Sequence, residues 1–540
     1  MPKVTIDDRT VEVEAGTNLV DAALEVGVQI PHYCYHPRLS VVGQCRMCLV
    51  EVEGMGKLQA GCSTQVVKDG MVVRTDTEEV QEAQRAMMEF LLINHPLDCP
   101  ICDQAGECGL QDYAFKHGVA FSRFNYEEKR TYTGKERIPL GPNILLNMNR
   151  CIQCTRCVRF TQEVSKTGEL GFLQRGARAE IGVFPGKQLD SDLATNVVDI
   201  CPVGALTSTK FRFAERVWNL EKEPSLCTGC DVGCNVTLEH RRGIIKRYKP
   251  RHNPEVNDYW MCDYGRGTFE KYTENPRLLS PRLRKQGELT PVIWKEAVEA
   301  LTQRLRSRTS EGAVVLLGSG NLTTEEAFLF GKLGDAVGTP HRSVYTEASE
   351  PYHIPNPQGG ITAKEASPNR RGAEMAGLEA GRGQTIDAGR LFREGADGVS
   401  ILIVTDSGYG PGAWDDETVE RLRRAEYLVV FGWADSPLAR AADLALPVNT
   451  HAEKDGTFVN VQWRLQRFRR AFPSPGEARP AVEVLAEILS HFDEGWKSLD
   501  VETVFQRMAE EIDDLRDLAF DRLPPTGAVL REEQPAPAPA

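Results

Sequence analysis

All fifteen cysteines of the chain fall between Cys34 and Cys262, in closely spaced groups whose gaps suit metal ligation. With one histidine added they divide into four sets of four, and no cysteine is left over. The sets are Cys34, Cys45, Cys48 and Cys62; His95, Cys99, Cys102 and Cys108; Cys151, Cys154, Cys157 and Cys201; and Cys227, Cys230, Cys234 and Cys262. Four donors is the ligand count of one iron–sulfur cluster. The count therefore predicts four inorganic redox centres on one polypeptide, and a series of such centres implies electron transfer.

The first set, C-x10-C-x2-C-x13-C, has a longer first gap and a shorter last one than the plant-type ferredoxin spacing. A 2Fe-2S cluster is the favoured assignment, and a structural zinc site built by the same thiolates is the alternative. In the second set, H-x3-C-x2-C-x5-C, a lone histidine would ordinarily be a surface or satisfied core residue. His95 earns a place because the seven cysteines from Cys99 to Cys201 are one short of two sets. A neutral imidazole removes one negative charge relative to an all-thiolate cluster, which raises the reduction potential, as it does in Rieske centres. The third set, C-x2-C-x2-C followed by Cys201-Pro202, has the bacterial ferredoxin pattern, with the remote cysteine closing the triplet. The fourth, C-x2-C-x3-C-x27-C, surrounds a predicted hairpin of Val236 to Leu238 and Ile244 to Tyr248 about Arg241-Arg242-Gly243. Its neighbouring basic residues read as a solvated hairpin rather than a nucleic-acid patch.

These ligands must be positioned by several domains, because 540 residues exceed what one core supports. A net charge of -13 argues against nonspecific binding to nucleic acid or anionic lipid. Met1 to Thr5 run directly into a strand-like alternation without the basic stretch and apolar run of a secretory signal, and no apolar run reaches membrane-span length. The expectation is a reducing cytoplasm, where clustered cysteines bind metals, and membrane attachment only through partners.

Residues 3–6 and 10–13 alternate around Asp7-Asp8-Arg9 as a β-hairpin, and Thr17 reads as the N-cap of a helix ended by Gly27. Residues 78–94 predict a helix through Val80, Met87, Met88, Leu91 and Leu92 that stops before Pro96. Periodicity is weak from about 95 to 220, where metal ligation would substitute for a large apolar core. Segments 313–318, 399–405 and 427–431 then read as buried parallel strands, each followed by a helical stretch. Residues 351–389, with Pro351, Pro355, Pro357, Gly359, Gly360, Gly377, Gly381 and Gly383, read as irregular connection, and Gln534 to Ala540 as an extended disordered tail.

Long strings make a specific resemblance. Cys45-Arg-Met-Cys-Leu-Val-Glu51, Asn94-His-Pro-Leu-Asp-Cys-Pro-Ile-Cys-Asp-Gln104, Gly106-Glu-Cys108, Cys151-Ile-Gln-Cys-Thr-Arg-Cys-Val-Arg-Phe160 and Asp199-Ile-Cys-Pro-Val-Gly-Ala-Leu-Thr-Ser208 resemble the large iron–sulfur subunit of respiratory complex I, NADH:quinone oxidoreductase. The likeness is close over 1–220 and looser beyond. It implies a multidomain α+β and α/β chain. Its expected parts are a ubiquitin-like 2Fe-2S ferredoxin domain (1–78), a His/Cys helical 4Fe-4S domain (79–140) and a ferredoxin-like 4Fe-4S domain (141–219). A 4Fe-4S domain of molybdopterin-oxidoreductase type (220–276), a shortened molybdopterin-oxidoreductase-like α/β domain (277–495) and a helical end with a Pro/Ala tail (496–540) follow. One 2Fe-2S and three 4Fe-4S clusters are implied. So is a path from a flavin-bearing NADH-oxidising subunit to the 2Fe-2S cluster, the Cys151 cluster, the His95 cluster and on toward quinone. The Cys227 cluster lies off that route. Implied partners are the flavin subunit and other peripheral-arm subunits, on the cytoplasmic side of the inner membrane.

The C-terminal half resembles a molybdopterin fold through Gly318-Ser-Gly320 with Thr324-Glu-Glu326, Asn369-Arg-Arg-Gly-Ala373 and Glu453-Lys-Asp-Gly-Thr-Phe-Val-Asn460. Three departures predict that no molybdopterin is bound. No cysteine follows Cys262, Tyr264 stands where active relatives often carry a basic residue, and about 280 residues are few for the cofactor cage. A silent scaffold is expected, with its Gly-rich turns serving as strand-to-helix connections. Neither G-x-G-x-x-G after a strand nor a P-loop occurs, so no nucleotide site is expected, and no acid–base constellation marks an independent active site. The alternative reading is an electron-input subunit of a soluble NAD-linked hydrogenase or formate dehydrogenase, which shares the amino-terminal modules.

Overall fold

A computed structural model of the chain describes residues 1–307, 313–346, 349–378, 386–406 and 414–531. The chain divides into two compact units, Met1–Leu220 and Glu221–Ala540. Among the described residues no helix is long and apolar enough to cross a membrane. Gly381, Gly383 and the Gln534 to Ala540 tail lie outside the described residues.

The first unit opens on strands β1 (Lys3–Ile6) and β2 (Arg9–Glu12), antiparallel about Asp7 and Asp8, both at positive φ. Two consecutive left-handed residues match the right-handed twist of the strands they join. Helix α1 (Leu19–Glu25) follows, then β3 (Leu49–Val52), β4 (Gln59–Ala60) and β5 (Met71–Arg74). The five strands form one mixed sheet in the order β2-β1-β5-β3-β4, with β1 and β5 parallel. Val4, Ile6, Leu19, Val20, Ala23, Val50 and Val73 fill its core.

The cap of α1 corrects the expectation for Thr17. Asn18 is the N-cap, and its side-chain oxygen accepts from Val20 N at 3.0 Å and Asp21 N at 3.1 Å. Thr17 instead uses its carbonyl to accept from Val66 N at 2.8 Å, which ties it to the returning chain. Gly27, at φ 72°, sits just past the helix end, where a left-handed residue is needed.

Helix α2 (Glu78–Leu92) is capped by Thr77 and buries Val80 and Met88. Its C-terminal end is held by Lys129, whose ammonium donates to the carbonyls of Leu92, Ile93 and His95 at 3.0, 3.0 and 3.1 Å. A cation at that position answers both the helix dipole and its orphan carbonyls. Beyond α2 the elements are short: α3 (Gly109–His117), α4 (Arg156–Glu163), the hairpin Leu170–Leu173 with Glu180–Val183, and a small sheet ordered Leu206–Ser208, Ile144–Leu146, Ile138–Pro139.

In the second unit Glu221–Leu226, Asn235–Arg241 and Ile244–Pro250 make a three-stranded antiparallel sheet, one strand more than the expected hairpin. A seven-stranded sheet runs Glu288–Pro291, Arg282–Lys285, Leu444–Pro447, Leu428–Gly432, Val399–Asp406, Ala313–Ser319, Arg342–Tyr345, and the last five strands are parallel. Val314, Leu316, Ile401, Ile403, Val429 and Phe431 enter one core. Val315, Leu317, Leu402, Val404, Leu428 and Val430 enter the core on the opposite face. Both faces being covered is why these strands read as unbroken apolar runs. The region expected to be irregular is partly ordered: His353–Ile354 pairs with Ile361–Thr362, and Arg370–Ala373 is helical and continues as a π turn to Leu378.

The helix Thr324–Ala336 begins with a capping box between Thr323 and Glu326. Its neighbour Glu325 is fully buried and accepts from Thr457 N at 3.1 Å and Thr457 Oγ1 at 2.8 Å. Burial pushes this carboxyl up to about 7. The folded unit therefore holds a proton that the unfolded chain has released, and stability from this group is lost as pH rises from about 4.5 to about 7. Thermal unfolding of wild type against Glu325→Gln isolates the effect. The wild type should lose about 3 kcal/mol relative to the variant across that window, and parallel pH profiles would refute it.

Candidate metal centres

The first set sits on two loops of the five-stranded domain. Cys34, Cys45 and Cys48 lie between α1 and β3, and Cys62 follows β4. Cys34, Cys48 and Cys62 are buried. Cys34 hydrogen-bonds Cys45 and Cys62, and Cys48 hydrogen-bonds Cys62. Those contacts hold the Cys34 and Cys48 thiols below their usual range and the Cys45 and Cys62 thiols above it. Gly61 permits the close approach, because a Cβ there would stand 3.2 Å from the Cys48 carbonyl oxygen. Arg46, between two of the cysteines, takes φ 54°, a strained conformation of the kind that clusters at functional sites.

In the second set Cys102 and Cys108 are buried and Cys99 is exposed. Burial pushes the Cys108 thiol up to about 11, with the charges of Cys102 and Cys99 acting in the same direction. Gly204 faces this set directly, since a Cβ on it would fall 2.2 Å from Cys102 Sγ. His95 lines a cavity with Asn94, Arg130, Asn149, Cys151 and Gln153. Burial, then Lys129 and Arg150, lower its pKa to about 4, so the imidazole is neutral at pH 7 and has a lone pair to offer.

All four members of the third set line one cavity, walled by Leu146, Ile181, Val203 and Leu206. The Cys201 sulfur accepts from the backbone N–H groups of Val203, Leu206 and Ala205, and Cys151 Sγ accepts from Gln153 N at 3.3 Å. Gln153 and Thr155 adopt φ 54° and 65°, folding the triplet tightly. Burial raises the Cys154 thiol to about 11.

The fourth set is wholly buried at the end of the three-stranded sheet. Cys262 caps the helix Asp263–Gly267, its sulfur accepting from Gly265 N at 3.3 Å, while Cys227 Sγ accepts from Gly229 N at 3.4 Å. A Cβ at Gly265 would sit 2.9 Å from Cys227 Sγ and 3.3 Å from Cys262 Sγ, so glycine keeps that space open for the sulfurs. Each of the other three cysteines acts electrostatically on Cys234.

A tetrahedral zinc holds its donors about 2.0–2.3 Å from one point. Among the described residues no group of three or more His, Cys, Asp or Glu side chains is set to hold a single ion. Soft sulfur donors with amides aimed at them are the chemistry of metal–thiolate sites, iron–sulfur clusters among them. Arg156, Arg159 and Lys129 brace these loops through hydrogen bonds to backbone carbonyls, contacts that sequence reasoning misses. The two arginines interleave with the third triplet, but nothing local shows which backbone they reach.

In the second unit the three segments likened to a molybdopterin fold are tied to one another. Asn369 Oδ1 accepts from Val459 N at 2.7 Å, and its Nδ2 donates to the Leu322 carbonyl at 2.7 Å. Lys454 donates to both oxygens of Glu326 at 2.7 Å. Gly318 and Gly320 are crowded: a Cβ at the first would meet Leu378 at 2.6 Å, and one at the second would meet Ser367 and Thr346 at 2.7 Å. Tyr264 stacks on Tyr352 with ring centroids 5.2 Å apart.

Family models match the chain in segments. They are a 2Fe-2S iron-sulfur cluster binding domain over 2–78, the NADH-ubiquinone oxidoreductase-G iron-sulfur binding region over 84–123, and the NADH-quinone oxidoreductase subunit 3 ferredoxin-like domain over 141–207. A molybdopterin oxidoreductase Fe4S4 domain covers 220–272 and a molybdopterin oxidoreductase domain 412–491. The chain is thus modular, with successive segments similar to iron–sulfur domains and to a molybdopterin oxidoreductase. Among curated relatives it is 43% identical to the G-type NADH-quinone oxidoreductase subunit of Streptomyces coelicolor over 61% of this chain and 39% of that protein. It is 41% identical to the corresponding NADH-quinone oxidoreductase subunit of Rickettsia conorii over 64% and 50%, and 39% identical to the NADH-ubiquinone oxidoreductase 75 kDa subunit of Reclinomonas americana over 65% and 50%. The chain therefore spans half or less of the length of these relatives. A solved chain of an NAD+-reducing [NiFe]-hydrogenase is 30% identical, with 40% of this chain and 91% of that one covered, at a TM-score of 0.36.

Proposed function

We propose that this chain is the electron-transfer subunit of an NADH:quinone oxidoreductase, complex I, receiving electrons from a flavin-bearing NADH-binding subunit and passing them toward quinone. The observation that carries the proposal is that three ligand sets follow one another within one compact unit, each inside a segment matched by an iron–sulfur family model.

Cys34, Cys45, Cys48 and Cys62 would hold a 2Fe-2S cluster. His95 with Cys99, Cys102 and Cys108, Cys151 with Cys154, Cys157 and Cys201, and Cys227 with Cys230, Cys234 and Cys262 would hold three 4Fe-4S clusters. Bound clusters supply reversible one-electron acceptance. The chain's own groups set how readily that happens: N–H donors on the Cys201 sulfur stabilise added negative charge, and burial of Cys154 and Cys157 keeps water away. In the second unit Lys454 is committed to Glu326 and the glycines pack against side chains, which supports a scaffold without bound molybdopterin. The chain would sit in the peripheral arm on the cytoplasmic side of the inner membrane, held there by its partners.

Iron and acid-labile sulfide analysis of the purified chain, with low-temperature electron paramagnetic resonance, tests this reading. One binuclear and three tetranuclear centres are expected. Colourless protein with stoichiometric zinc would overturn it, and copurification in a soluble complex that reduces NAD from hydrogen or formate would reassign it.

A further inference from the structure

Helix α4 carries Cys157 and turns three polar residues toward the loop that bears Cys34. Glu163 accepts from Ser40 N at 2.7 Å and Ser40 Oγ at 2.5 Å. Arg156 donates to the carbonyl of Ile200 at 3.2 Å, beside Cys201, and also to that of Tyr35. Arg159, only 5% exposed, reaches furthest. Its Nη2 donates to the Cys34 carbonyl at 2.5 Å and to the Cys154 carbonyl at 3.4 Å. Its Nη1 donates to the Ser40 carbonyl and its Nε to Thr155 Oγ1 at 3.0 Å. A parallel tie runs from Gln44 Nε2, beside Cys45, to the carbonyl of Gln153 at 3.0 Å.

One guanidinium nitrogen, on a residue 125 positions along the chain from Cys34, thus joins the ligand-bearing peptide of the first set to that of the third. No ammonium could make the same contacts, because they need a planar fork aimed in fixed directions. In a buried setting the field of a guanidinium on neighbouring charge is stronger than in water.

From this juxtaposition we infer that Arg159 is a positioning residue for electron transfer between the first and third centres. It locks the two ligand loops together and raises the reduction potential of both, since adding an electron at either places negative charge beside the same cation. The inference rests on the electron-transfer reading proposed above.

The test uses the full chain in its complex. Arg159→Gln keeps a side-chain donor and loses the charge, while Arg159→Lys keeps the charge and loses the fork. Midpoint potentials of the binuclear centre and of the tetranuclear centre assigned to Cys151, Cys154, Cys157 and Cys201 are read by electron paramagnetic resonance at controlled potentials, alongside iron content. Arg159→Gln should shift both potentials downward together with iron retained, and Arg159→Lys should leave both near wild type. Potentials unmoved in the glutamine variant, or movement of only one, would overturn the inference, because a purely structural tie has no reason to act on both. If the glutamine variant loses iron, the lysine variant decides: unchanged potentials support the role and a fall in both refutes it. Iron loss from both variants would make Arg159 a folding residue and also overturn it. The underlying electron-transfer reading fails separately, on wild-type protein that shows no paramagnetic iron–sulfur signals.

Discussion

Cys154→Ser should cut NADH-to-quinone electron flow in the assembled complex by about 100-fold or more, the upper end of what losing even an outer-shell partner does to a metal site. The sulfur stands in a cavity with Cys151, Cys157 and Cys201, among apolar walls that offer no substitute donor. Burial already disfavours ionisation of the thiol, and the nearby charges of Arg156 and Arg159 and the Arg156 backbone N–H work against that. A serine hydroxyl ionises far less readily than a thiol and is a hard donor where soft iron–sulfur chemistry asks for thiolate. The third set would then have three donors, and the expected path from the first set to the second runs through it. Steady-state turnover with quinone, measured on complex of verified subunit content, checks this. Wild-type turnover would contradict both the ligand assignment and the order of the path.

His95→Cys should lower the midpoint potential of the second centre by on the order of 100 mV, judged from the span between Rieske and all-cysteine binuclear centres. The imidazole is neutral at pH 7 because burial, Lys129 and Arg150 all oppose its protonation. A thiolate in its place adds a full negative charge, and the added electron must enter against it. The three carbonyls held by Lys129 fix the chain at the end of α2, so the substituted side chain starts from the same backbone. Redox-poised electron paramagnetic resonance of the variant gives the shift directly. A potential unchanged from wild type would remove His95 from the ligand set and leave Cys99, Cys102 and Cys108 in need of another fourth donor.

Much of the architecture can be read locally. The alternation of Val4, Ile6 and Val11 and the two polar residues at Asp7 and Asp8 suffice for a tight hairpin, and the sheet contains it. The apolar runs at 313–318 and 399–405 do not reveal which face each residue takes. Pairing of Leu316 with Ile403 in a sheet covered on both sides resolves that. The sequence misplaces the helix cap by one residue because Thr17 and Asn18 are both good N-caps. Only the bond from Val66 to the Thr17 carbonyl shows that this residue belongs to the strand-side chain path. Likewise Gly318 and Gly320 read in sequence as a strand-to-helix connection, and their crowding by Leu378, Ser367 and Thr346 becomes visible only once distant segments are packed.

The sequence alone determined the number, type and order of the candidate donors, because thiolate and imidazole chemistry resides in single side chains and the gaps within each triplet are short enough to read directly. The tertiary structure decided what surrounds those donors. Which amides face Cys201, which glycine stands against Cys227 and which guanidinium bridges Cys34 and Cys154 depend on contacts between residues far apart in the chain. Such contacts leave no periodic or spacing signal, since they are fixed by how whole loops and helices pack.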